Sequence, residues 1–99
     1  MRRLGQAMDP ESLYRRIGRL IEVAPAAPTT ADLSPDVMRW LGQATALVKQ
    51  TGDIPVLAEM SAAISMLHFP NRKEYFQKIL VALYKALASA ELHAPQSAR

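Results

Sequence analysis

Hydrophobic residues recur at three- and four-residue spacing along most of the chain, and this period is typical of amphipathic helices. No segment alternates apolar and polar residues over the length of a β-strand. The pattern predicts an all-α fold, a compact four-helix bundle-like domain covering residues 1–99, with flexible ends at 1–8 and 95–99. The four helices are predicted at about 10–24, 35–51, 54–68 and 72–93.

Helix start signals precede the first two predicted helices. Asp9-Pro10 and Ser34-Pro35 each place a good N-cap residue before a proline, which fits the first helical position because no N–H partner is lost there. Pro25 predicts the end of the first helix, since the residue before a proline is disfavoured in the helical region. Residues 25–33, with two prolines, are predicted to be a linker that crosses the end or side of the bundle.

The later boundaries are also marked. Gly52 is placed to adopt the left-handed conformation just past the second helix, and Asp53 to cap the third. Asn71, with Glu74 three residues later, has the spacing of a capping box at the start of the fourth helix. The predicted order is therefore a short helix, a proline linker, a helix, a tight turn, an apolar helix, a turn and a long helix.

The third helix lies in the segment IPVLAEMSAAISMLHF, residues 54–69, in which Glu59 is the one formal charge. A helix that is apolar on all sides is buried on all sides. One interpretation is that this helix is central and contacts all three others. The other is that one of its faces is exposed in the single chain and packs against a second copy.

The second interpretation rests on small and adaptable residues, and the first is the simpler of the two. Alanine and serine allow helices to approach closely, and methionine fills irregular surfaces. A twofold homodimer is the commonest way to cover an exposed apolar patch. The residues concerned are Ala58, Ser61, Ala62, Ala63 and Ser65, with Met60 and Met66.

The composition narrows the function classes. The chain is 49% hydrophobic and 21% charged, which is typical of a globular domain. It has no cysteine, so disulfides and thiolate chemistry are excluded. No segment is apolar for long enough to span a bilayer, and the N-terminal arginines are not followed by the apolar stretch of a signal peptide. We therefore expect a cytoplasmic protein without a membrane association.

The sequence shows no arrangement of residues typical of catalysis, and we expect no enzyme activity and no cofactor. His68 and His93 are far apart and each lies near a predicted helix end, where an imidazole can bond a free carbonyl. Neither belongs to a HExxH pattern or a His–carboxylate cluster, so no metal site is predicted. Ser61 and Ser65 lie on the apolar helix, where their hydroxyls can bond backbone carbonyls.

Basic residues concentrate at the two ends of the chain, whereas acids are in excess in the middle. Arg15 and Arg19 are four apart on the first helix and share a face. A weak, sequence-independent nucleic-acid-binding domain is therefore the alternative function, with Arg15, Arg16 and Arg19 as candidate phosphate contacts. A helix-turn-helix is not indicated, because the third helix begins Ile-Pro-Val-Leu-Ala-Glu and contains no base. We therefore regard nucleic acid as an unlikely partner.

The segment ILVALYKALASAELHAP, residues 79–95, resembles a stretch in an uncharacterised group of bacterial proteins. In that group a helical N-terminal module precedes a phospholipase-D-like domain. The resemblance covers mainly the fourth helix, and more loosely WLGQATALV at 40–48. It implies an accessory helical module that positions or oligomerises another domain, either cut from a longer protein or free-standing. It carries over no catalytic residue.

These observations favour a non-catalytic helical protein-interaction or oligomerisation module that self-associates, with a dimer expected. A protein partner or a fused domain remains an open alternative. The third and fourth helices are expected to supply the contact, and Trp40 to anchor the core. The candidate interface or core residues are Met60, Ile64, Leu67, Leu83, Leu87 and Trp40.

Overall fold

The computed structural model describes residues 10–30 and 32–93, and it confirms the all-α four-helix fold. No strand occurs in these ranges. The predicted flexible ends and the predicted Asp9 cap lie outside the described residues. The helices are α1 Pro10–Glu22, α2 Pro35–Thr51, α3 Ile54–Ser65 and α4 Arg72–His93, with a 3-10 turn at Met66–His68.

Helix bounds follow the sequence signals closely. Helices α2 and α4 have the predicted bounds, whereas α1 ends at Glu22 rather than at residue 24. Helix α3 gives way to the tighter 3-10 turn from Met66 onward, as helix ends commonly do. Within the described ranges, no helix combines the length and apolarity needed to cross a bilayer.

Side-chain caps mark where α2 and α3 begin, and a left-handed glycine marks where α2 ends. Ser34 Oγ accepts the Val37 N–H at 3.2 Å, and Asp53 Oδ1 accepts the Val56 N–H at 3.3 Å. Gly52 has φ 76°, and its N–H donates to the Lys49 carbonyl. The predicted caps at Ser34 and Asp53 and the predicted left-handed glycine are therefore confirmed, and Gly52 and Asp53 form a tight turn between α2 and α3.

Asn71 differs from its predicted role. Its backbone has φ 72°, whereas a side-chain N-cap normally has an extended backbone. Its carbonyl accepts the Tyr75 N–H at 3.1 Å, but no capping-box hydrogen bond joins it to Glu74 within the described ranges. Asn71 thus starts α4 by turning the chain in the left-handed conformation, which asparagine tolerates better than most residues.

Helices α2 and α4, rather than α3, are the helices that contact all the others. Helix α3 contacts α2 and α4 but not α1. The interpretation that the third helix is central is therefore wrong. Short connections on both sides make α2 and α4 its antiparallel neighbours, so α1 takes the diagonally opposite corner of the bundle.

One core runs between the helices and receives residues from each of them. Trp40 lies beside Phe76 at its α2–α4 contact, with ring centroids 5.5 Å apart. The linker after α1 contributes Ala24, Ala27 and Leu33, which pack partly buried against the core. The fully buried larger side chains are Ile17, Val48, Met60, Leu67, Ile79 and Leu83.

Candidate functional site

Helix α3 has two chemically different faces. Its inner face is buried against α2 and α4 and continues into the 3-10 turn; it comprises Val56, Met60, Ala63 and Leu67. Its outer face is exposed and carries no ionic group. We define the outer face of α3 as Ile54, Ala58, Ser61, Ala62 and Ser65.

The expectation that α3 is buried on all sides is therefore wrong for the single chain. The positions of the outer face recur at i, i+4, i+7, i+8 and i+11, which is one stripe of a helix, and the exposed Pro55 and Glu59 border it. Most of them are alanine and serine, whose exposure costs little, and this is why the chain can leave them uncovered. Ala63, grouped with the small residues in the sequence, lies on the inner face and is 4% exposed.

The candidate interface or core residues separate in the structure. Met60, Leu67 and Leu83 are fully buried and Trp40 is nearly so. These side chains hold the single chain together and cannot contact another molecule without opening the bundle. Ile64 and Leu87 are partly buried and pack against the core.

Two exposed hydrophobic residues were missed by the sequence reasoning. Ile54 is 67% exposed at the first position of α3, and Phe69 is 53% exposed just after the 3-10 turn. They lie at opposite ends of the α3 segment, roughly 22 Å apart at about 1.5 Å per residue. A helical wheel of residues 54–65 could have placed Ile54 among the alanines and serines, away from Val56 and Met60.

The outer faces of the other helices carry charges. Exposed ionic side chains include Arg16 and Arg19 on α1, Arg39 and Lys49 on α2, and Lys73 and Lys78 on α4. The single acid of α3, Glu59, lies at the flank facing α4 and accepts a hydrogen bond from Lys85 Nζ at 3.0 Å. Among the described helices, α3 thus has one exposed ionic side chain, Glu59, which lies at the edge of its outer face and is paired with Lys85.

A second surface is a groove between α1 and α2. The structure brings all three candidate phosphate contacts, Arg15, Arg16 and Arg19, to its rim. Arg15 Nη2 donates to Glu11 Oε2 at 2.7 Å. The apolar residues of the groove are Leu20, Val23, Ala46 and Leu47, and Gln43 and Gln50 complete the α2 side.

His68 belongs to no group of metal ligands among the described residues. His68 is exposed at the end of the 3-10 turn, and the side chain of His93, the last residue of α4, is outside the description. Within the described ranges, no group of histidines and carboxylates is arranged to hold a metal ion.

Searches against protein-family models, curated proteins and solved structures found no match. The resemblance of residues 79–95 to a bacterial helical module thus remains a prediction.

Proposed function

We propose that the chain is a non-catalytic helical interaction module that self-associates as a dimer through the outer face of α3. The observation that carries this proposal is that this face has no ionic side chain of its own and that Glu59 at its edge is paired with Lys85, in contrast to the charged outer faces of the other described helices. Charged groups resist burial in an interface, whereas alanine, serine and isoleucine lose little on leaving water.

The side chains of the outer face support close contact between two copies. Ala58, Ser61, Ala62 and Ser65 are short, so two α3 helices can approach to the 8–10 Å that is typical of packed helix axes. Homodimers most often have twofold symmetry. An axis near Ser61 and Ala62, at the middle of the segment, would place Ile54 of one copy near the Phe69 end of the other.

The interface in this proposal is about one helix wide. Stable dimers generally bury more than about 1,000 Å² of surface in total, and a contact one helix wide buries less than most of them. We therefore expect this dimer to be reversible and to depend on protein concentration. Because it is uncharged, its strength should change little with salt, since screening acts on exposed charges.

The proposed biological setting follows from the resemblance of residues 79–95. A self-associating helical module could serve as an accessory domain of a larger bacterial protein and bring two copies of an attached domain together. This setting is separate from the dimer itself, and the dimer can be tested with the chain alone.

Sedimentation or light scattering over a wide concentration range tests the proposal. The mass should rise from that of a 10.9 kDa chain toward twice that value, at both low and high salt. Ser61→Arg places a charge at the centre of the outer face and should keep the chain monomeric. Gln77→Arg is the matched control, because Gln77 is exposed on α4 and its replacement adds the same charge elsewhere.

A mass that stays monomeric at the highest concentration would exclude self-association. A dimer that forms equally well in the wild type, Ser61→Arg and Gln77→Arg would place the contact somewhere other than α3. Circular dichroism of each variant establishes that the helices are intact.

A further inference from the structure

The groove between α1 and α2 combines an apolar floor with a basic rim. Arg16, Leu20 and Val23 recur at i, i+4 and i+7 along α1 and form one wall. Ala46 and Leu47 of α2 form the opposite wall. Ala46 is small and exposed, so the channel between the helices stays open at this point.

The apolar part of the groove is accessible to another molecule. Val23 is 57% exposed at the end of α1, and Leu47 is only partly buried against the core. These two side chains lie next to Leu20, which is buried. A ligand in the groove could therefore cover apolar surface that water now contacts.

The charge of the groove has one sign. Arg15, Arg16 and Arg19 lie along its rim, and no acidic side chain lines it within the described ranges. Arg15 is paired with Glu11, whereas Arg16 and Arg19 form no ion pair with any residue that the structure describes. Two guanidinium groups beside an apolar channel favour a ligand that carries both carboxylates and apolar side chains.

We propose that this groove is a docking site for an acidic amphipathic helix of another protein. The apolar stripe of the helix lies along Leu20, Val23 and Leu47, and glutamates or aspartates at its edge pair with Arg16 and Arg19. Binding of this kind uses anchors at i, i+3 or i+4, and i+7. The wall from Arg16 to Val23 is about 10 Å long at 1.5 Å per residue, which matches two turns of such a helix.

The apolar floor distinguishes this ligand from a nucleic acid. Phosphate backbones are bound by basic and polar groups, and single strands also stack their bases on aromatic side chains. The groove has apolar residues at its centre, and no aromatic side chain lines it among the described residues. The three arginines therefore lie beside a surface that suits a peptide better than a phosphate backbone.

The docking site is independent of the proposed dimer contact. Helices α1 and α3 occupy opposite corners of the bundle and do not touch. A dimer formed through α3 leaves the α1–α2 groove of each copy open, so a dimer would offer two docking sites. Loss of either activity leaves the other measurable.

Fluorescence anisotropy with a labelled synthetic peptide tests the proposal. The probe is an amphipathic helix of roughly four turns with a leucine stripe flanked by glutamates. The comparison peptides are its lysine-flanked counterpart and a scrambled sequence of the same composition. The full chain should bind the glutamate peptide at least about tenfold more tightly than either comparison peptide.

Two sets of variants locate the site. Arg16→Glu combined with Arg19→Glu should weaken binding about tenfold or more, and the control Lys73→Glu with Lys78→Glu changes the net charge equally on α4 and should leave binding unchanged. Val23→Ser should weaken binding several-fold because it removes an apolar anchor. Ser61→Arg, in the outer face of α3, should have no effect on the peptide.

Three results would overturn the proposal. The first is equal binding of the glutamate and scrambled peptides, or none at all. The second is a loss of affinity in both charge-reversal pairs with no effect of Val23→Ser, which would reduce the interaction to general charge attraction. The third is binding of a labelled DNA duplex, with steep salt dependence, in place of the peptide; this result would assign the arginines to nucleic acid.

Discussion

Trp40 donates its indole N–H to the backbone carbonyl of Leu20, with Nε1 and O 2.9 Å apart in the interior of the bundle. Leu20 lies in the last turn of α1, where carbonyl oxygens have no partner within the helix. In a continued α-helix the Ala24 N–H would donate to the Leu20 carbonyl, but here it donates to the Ile21 carbonyl. The indole N–H of Trp40 takes its place as the donor to Leu20. Trp40 also packs beside Phe76, so one side chain joins α1, α2 and α4.

Trp40→Phe should lower the free energy of unfolding by about 1–3 kcal/mol, because it keeps an aromatic ring but leaves the buried Leu20 carbonyl without a donor. Urea unfolding followed by circular dichroism measures the change; fluorescence is unsuitable because Trp40 is the only tryptophan. Phe69→Leu is the control, since Phe69 is exposed, and it should change stability little. Equal stability of Trp40→Phe and wild type would show that the hydrogen bond contributes nothing.

Two glycines should respond oppositely to alanine. Gly52 has φ 76°, and a Cβ in that left-handed conformation costs about 1–2 kcal/mol, so Gly52→Ala should destabilise the protein. Gly42 lies in the middle of α2 with nothing within 4 Å of an added Cβ, and Gly42→Ala should stabilise by about 0.5–1 kcal/mol. Thermal and urea unfolding of both variants provides the comparison. Destabilisation by Gly42→Ala would indicate that its surface is covered.

Substitutions on the inner face of α3 should affect the stability of the fold, and substitutions on its outer face should affect association. Met60→Ala removes a fully buried side chain and should cost about 2–5 kcal/mol of unfolding free energy. Ile54→Ala alters an exposed residue and should change the stability of the monomer by less than about 0.5 kcal/mol. Under the proposed function it should nevertheless weaken the dimer. Unfolding at low protein concentration measures the stability of the monomer, and the mass at high concentration measures the dimer. If Ile54→Ala lost as much stability as Met60→Ala, Ile54 could not be exposed in the monomer.

The N-cap of α2 can be tested with a matched pair of serines. Ser34→Ala removes the acceptor of the Val37 N–H and should destabilise by about 0.5–2 kcal/mol. Ser61→Ala places a better helix former on an exposed position of α3 and should be neutral or slightly stabilising. Chemical unfolding compares the two. A neutral Ser34→Ala would show that water replaces the cap.

Local signals were sufficient for the starts of the described helices and for the ends of α2 and α4, because they act within a few residues. Pro35 and Gly52 limit backbone angles directly, and Ser34 and Asp53 bond to amides three residues away. The same reasoning failed at Asn71, where the path of the chain from the 3-10 turn into α4 requires a left-handed residue. That requirement arises from the placement of α4 relative to α3, and the spacing of residues around Asn71 gives no information about that placement.

Tertiary packing decided which residues form the outer face of α3 and the groove between α1 and α2. Ala58 and Ala63 are the same residue type in one apolar segment, yet Ala58 is exposed and Ala63 is buried. Arg15, Arg16 and Arg19 were identifiable as a cluster, but the apolar residues of α2 beside them were not. Only the antiparallel docking of α1 on α2 brings Leu47 and Ala46 to the same groove as those arginines.

Periodicity and capping residues were therefore enough to establish the four described helices, the start of each and the ends of α2 and α4, because those signals act over one turn of the backbone. Which helix lies at the centre, which stripe of α3 faces water, and which residues share a groove were decided by the packing of four faces into one core. That packing depends on contacts between residues far apart in the chain.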